Sequence, residues 1–182
     1  MNQANPTAFA RFADQLEIQN CLYRFARGVD RRDYEVVRGT YHADAIDNHG
    51  DYNGGVDGMI TWLRERHRDI AISFHHIGNI HVEFTGPDDA LCEAYVLTWQ
   101  SLAGADPENS DQNQPVEAFF AGRYVDHFKR KNGIWRCQHR TAVPESATLL
   151  SAGARMSLGP NWTKGSRDLS DPSYLLKARL ET

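Results

Sequence analysis

Three places in the chain carry side chains whose type and setting suggest chemistry. Asp30 follows directly on an apolar helical stripe in RFARGVDRRD. A carboxylate at the inner end of a packed helix would be desolvated and could orient or ionise a histidine. As a turn residue beside Arg31 and Arg32, it would instead be a solvated aspartate. His75 and His76 open a strand-like run, and either imidazole could serve as a general base. Neighbours on a strand point to opposite faces and no nearby carboxylate has ligand spacing, so no metal is expected. Simple alternation groups His76 with Gly78, Ile80, Val82 and Phe84. A bulge at Gly78 would reverse the phase and turn His75 inward, and periodicity leaves the two open. Arg140 is permanently charged and could hold a leaving group or an oxyanion, or lie as an exposed strand-end residue. No Gly-rich phosphate loop, GxSxG elbow or HExxH pair occurs, which removes the usual support for nucleotide, serine-hydrolase and zincin chemistry.

The elements that must position these groups follow from hydrophobic period. Ile18, Leu22, Phe25, Ala26 and Val29 recur at helical spacing and predict a helix over 14–29 that ends at Asp30. Asp33 is a plausible N-cap for a short second helix bearing Tyr34, Val37 and Tyr41. Gly54-Gly55 precedes a third helix with Met59, Ile60, Leu63, His67 and Ile70. From Ser73 the period becomes two, and runs at 90–102, 116–131 and 134–143 follow, the last after an Asn132-Gly133 hairpin turn. Helices followed by long hairpin-linked strands predict an α+β domain with a strongly bent antiparallel sheet. Residues 105–115 are polar, acidic and Pro-bounded, the pattern of a mobile surface loop.

Tyr95, Trp99, Phe119, Phe120, Tyr124 and Trp135 give that sheet an aromatic lining, of which Tyr95, Trp99 and Tyr124 are candidate substrate contacts. The surplus favours a hydrophobic, aromatic or steroid-like ligand. After Pro144 the pattern decays into Gly, Ser and Pro with isolated Leu149, Leu158, Trp162 and Tyr174. Residues 146–182 are therefore expected to be an extension of a 1–145 domain, anchored by those apolar groups over a cavity mouth or a neighbouring subunit.

Size and composition agree with one folded domain. The 182 residues are 41% hydrophobic and 24% charged, with a net charge of -4, so no basic field is available for nucleic acid. No apolar run is long enough to span a membrane and no secretory leader opens the chain, which predicts a cytoplasmic protein. Cys21, Cys92 and Cys137 read as buried free thiols.

The stretches YRFARGVDRRDYEVV (23–37), SFHHIGN (73–79) and AGRYVDHFKRKNGIWRCQHR (121–140) together resemble the SnoaL-like branch of the nuclear transport factor 2-like superfamily. The resemblance covers roughly residues 10 to 145 and extends to scytalone dehydratase, hexachlorocyclohexane dehydrochlorinase and bile acid 7α-dehydratase. It implies a conical α+β barrel with three N-terminal helices packed on the sheet. It also implies a cofactor-independent lyase acting on a hydrophobic ring compound, by loss of water, halide or an aldehyde. Carried over by position, the family's carboxylate falls on Asp30, its histidine on His75 and the dehydrochlorinase arginine on Arg140. Two family tyrosines are replaced, one by Phe25 and the other by Asn48, which enters the candidate substrate contacts at that position. A homo-oligomer, preferably a trimer with a dimer as the alternative, follows from the same likeness. The alternatives are an isomerase or cyclase of the ketosteroid-isomerase or SnoaL type, and a non-catalytic ligand-binding domain.

Overall fold

In the computed structural model, which describes residues 7–102, 116–151 and 159–181, the apolar stripe of the first helix is the seam between helix and sheet. Helix α1 (Ala8–Arg31) starts at Thr7, whose hydroxyl accepts from the Ala10 N–H, and buries Ile18, Leu22, Phe25 and Val29. Arg32, in the left-handed region at φ 54°, ends it. Helix α2 (Tyr34–Arg38) is capped by the Asp33 carboxylate, and helix α3 (Val56–Arg66) buries Met59, Ile60 and Leu63.

Tyr41, expected on the second helix, opens strand β1 (Tyr41–Asn48), which has β2 (Asn53–Gly55) beside it. The third helix ends before His67 and Ile70, because the backbone of His67 leaves the helical region and Ile70 starts β3 (Ile70–Phe84). Strands β4 (Asp89–Leu102), β5 (Val116–Lys131) and β6 (Ile134–Ser151) complete one open sheet of order β2-β1-β6-β5-β4-β3. Every ladder is antiparallel except β1–β6. The β5–β6 turn at Asn132-Gly133 has positive φ at both residues (54° and 80°), the geometry that matches strand twist in a two-residue hairpin.

Strand β6 passes without a break through Pro144, where the apolar pattern decays. Proline is tolerated there because it lies opposite Gly122 at a register shift, where a missing N–H costs the ladder little. Gly122 itself admits no side chain, since a Cβ would sit 2.5 Å from the Val143 carbonyl oxygen. The polar run 105–115 and Leu158 lie outside the described residues.

The tail returns to its own chain. Helix α4 (Pro172–Leu180) sits at the C-terminal end of α1 through polar contacts. Tyr174 Oη donates to Asp33 Oδ2 at 2.7 Å, the Arg27 guanidinium lies over the Tyr174 ring, and Arg31 pairs with Asp171. Of the other expected apolar anchors, Leu149 lies in the β5–β6 ladder, and its side chain and that of Trp162 are exposed. All three cysteines are buried free thiols, with Cys92 pushed up to about 12 by burial. No described helix is long and apolar enough to cross a membrane.

Candidate active site

Between the helices and the concave face of the sheet lies a cavity of about 440 Å³. Phe25 and Val29 of α1, Trp62 and Leu63 of α3, and Phe120 and Tyr124 of β5 supply most of its apolar wall. Histidines enter that wall at three points, His49, His67 and His75.

His75 is placed by an irregularity in β3. The β3–β4 register shifts between Ile77 and Ile80, so Ser73, His75 and Ile77 face inward on one side of Gly78 and Ile80, Val82 and Phe84 on the other. This bulge sends His76 to solvent. Asp30, at the last turn of α1, meets the strand there. Its Oδ1 is 2.6 Å from His75 Nδ1 and accepts from Ser73 Oγ at 2.9 Å, and its Oδ2 accepts from the His75 N–H at 2.9 Å. Only 7% of Asp30 is exposed. A carboxylate held by three donors at a helix end is fully engaged, and it fixes the imidazole with Nδ1 protonated and the Nε2 lone pair available.

Arg167, from the tail, closes the other end of this assembly. Its guanidinium donates to the carbonyls of Val29, Asp30 and Ile70 at 2.6–3.0 Å and to His67 Nδ1 at 2.8 Å. A guanidinium can only donate, so His67 accepts on Nδ1 and carries its proton on Nε2. Burial, with Arg167 beside the ring, drives the His67 pKa down to about 3. His67 is therefore a neutral donor rather than a base.

Arg140 is not at the cavity surface. It is 1% exposed and makes a two-pronged pair with Asp126 at 2.9 and 2.6 Å, its guanidinium sandwiched between the rings of Phe25 and Tyr124 at 4.2 and 4.1 Å. The expected place of Arg140 at the rim or wall is taken by Phe25 and Tyr124, which line the cavity in front of it, and its Nη1 is buried without a hydrogen-bond partner among the described residues. Tyr124 does line the cavity. Tyr95 and Trp99 do not: Val96, Thr98 and Gln100 take the inward positions of β4, leaving Tyr95 half exposed and Trp99 bonded to Glu117 on the outer face. Asn48 also misses the cavity, and its side-chain oxygen accepts from the Gly50 N–H.

The residues flanking Asn48 are the ones that face inward. Asp47 is completely buried, accepts from Tyr41 Oη at 2.7 Å and from His49 Nδ1, and so backs a second imidazole on the cavity wall. Burial opposes ionisation of Asp47, but the His49 hydrogen bond, Arg140 and the Tyr41 hydroxyl outweigh it and hold the carboxyl below its ordinary range. The i, i+2 spacing of Asp47 and His49, at and just past the end of a strand, was the available signal, since residues so spaced in extended backbone share a face. Among the described residues no cluster of His, Cys, Asp and Glu could hold a metal ion.

A SnoaL-like domain model matches residues 10–141. The chain belongs to the SnoaL-like family. No curated protein sequence matches it. Among solved structures, the SnoaL-like chain is similar to a hexachlorocyclohexane dehydrochlorinase, LinA-type3, from Novosphingobium barchaimii, at 20% identity and a TM-score of 0.70 over 84% of this chain and 100% of that one. A candidate scytalone dehydratase from Novosphingobium aromaticivorans gives 15% identity and a TM-score of 0.68 over 87% and 100%. A protein of unknown function with a cystatin-like fold from Nostoc punctiforme gives 20% and 0.60 over 78% and 96%. At these identities the likeness is one of fold, the bent-sheet α+β fold that the SnoaL-like sequence pattern implied.

Proposed function

We propose that this SnoaL-like protein is a cofactor-independent lyase that eliminates a small group from a hydrophobic aromatic or alicyclic compound, with His75 as general base and Asp30 as its orienting partner. The observation that carries this reading is the 2.6 Å contact between His75 Nδ1 and Asp30 Oδ1 at the wall of an apolar cavity. A neutral imidazole so held presents Nε2 to an activated C–H. As the proton moves to Nε2, Asp30 stabilises the imidazolium that forms, and the electron pair left on carbon expels the leaving group. The aromatic wall of Phe25, Trp62, Phe120 and Tyr124 suits a flat, hydrophobic ring.

A mass-spectrometric screen of aromatic and alicyclic alcohols, halides and aldehydes, scored for loss of water, hydrogen halide or formaldehyde, tests it. Turnover should fall about 10²- to 10⁴-fold in His75→Gln, with the fold retained. Full activity in that variant would overturn the assignment, and rearranged product of unchanged mass would convert it to an isomerase using the same base.

A further inference from the structure

The base just proposed leaves the second histidine of the cavity without a task, and elimination from an alcohol leaves a second proton without a source. We propose that His49 is the general acid of this cavity, protonating an oxygen leaving group, and that the substrate is therefore an alcohol activated by a neighbouring carbonyl rather than a halide. This rests on the elimination proposed above.

The arrangement around His49 parallels that around His75. Nδ1 is held by Asp47, a carboxylate with no exposure, which Tyr41 Oη holds in turn. The ring packs among Phe25, Trp62 and Tyr124 with centroids 5.8–6.3 Å away. Nε2 makes no hydrogen bond to any described residue, and the ring lines the cavity. A buried carboxylate behind an imidazole with one free nitrogen is the setting of a proton-transfer group. Within this buried set Asp126 pairs with Arg140, and Asp47 holds the ring of His49.

His67, the third histidine of the cavity, is neutral with Nδ1 held by Arg167. His75 comes from β3, one edge of the sheet, and His49 from the end of β1, beside the other edge. The bend of the sheet brings both to one cavity, so a substrate between them meets a base and an acid. The C–H proton passes to His75 Nε2, its electron pair forms the new C=C bond as the C–O bond breaks, and the departing oxygen takes the proton of His49 Nε2 and leaves as water. Solvent then reprotonates His49 and deprotonates His75. Chloride leaves without a proton and would have no use for His49.

The full-length protein is tested with indanone and its β-hydroxy and β-chloro derivatives. Exchange of the indanone α-protons in D₂O, followed by NMR, needs only His75, and absence of exchange in the wild-type protein overturns the base assignment itself. With exchange established, His49→Gln should keep both exchange and loss of hydrogen chloride near wild-type rates while dehydration falls about 10²- to 10⁴-fold. Asp47→Asn should show the same split, which covers the case in which one variant does not fold. Dehydration at the wild-type rate in a folded His49→Gln protein, or equal loss of all three reactions, overturns the assignment of His49 as acid.

Discussion

Lowering the pH from 7 to 5 should remove about 2 kcal/mol of folding stability through one side chain, His67. The ring is 3% exposed, and its Nδ1 already accepts from Arg167 Nη2 at 2.8 Å. A second proton at Nδ1 would point at a guanidinium. Burial first, and then Arg167, His75, Arg66 and Arg32, bring the folded pKa from 6.5 to about 3. The folded protein thus keeps His67 neutral while the unfolded chain takes up a proton below 6.5, so stability is complete above that pH and is lost as pH falls toward 3. At pH 5, about 1.5 pH units below the unfolded value, a cost near 1.4 kcal/mol per unit gives about 2 kcal/mol. Any folded value below about 4 gives the same result at pH 5. Urea unfolding at pH 7, 6 and 5, followed by tryptophan fluorescence at one protein concentration, should be compared with His67→Asn, which keeps an acceptor toward Arg167 and cannot titrate. His42, which burial also pushes below its ordinary value, contributes to both proteins and cancels. Parallel stability curves for the two proteins would refute the reasoning, as would a His67 resonance titrating near 6.5 in the folded state.

Arg167→Ala withdraws the donor from three backbone carbonyls and His67, and should cost about 1–3 kcal/mol in urea unfolding, with a matching fall in thermal midpoint. A variant as stable as wild type would show that water replaces the guanidinium without loss. Arg140→Met leaves Asp126 buried and uncompensated and should destabilise by about 3–5 kcal/mol, whereas an unchanged midpoint would mean that Asp126 is neutral in the folded protein.

Local period and turn chemistry were legible in the chain itself. The stripe from Ile18 to Val29 determined which face of α1 is buried, and Asn132-Gly133 determined where β5 turns into β6, because both depend only on near neighbours. The possible bulge at Gly78 was also visible, but its phase was not, since a strand reads equally well with either face inward. Packing of α1 against β3 decided it, turning His75 to Asp30 and His76 to solvent. The same ambiguity hid the cavity face elsewhere. On β4 it sent Tyr95 and Trp99 outward, and at the end of β1 it put Asp47 and His49 inward in place of Asn48. Arg140 and Arg167 are the extreme cases. One guanidinium is buried between two rings against a carboxylate 14 residues away, and the other reaches the Asp30 carbonyl across 137 residues of sequence. No local pattern marks such partners, because what stabilises a buried charge is the set of groups that folding gathers around it.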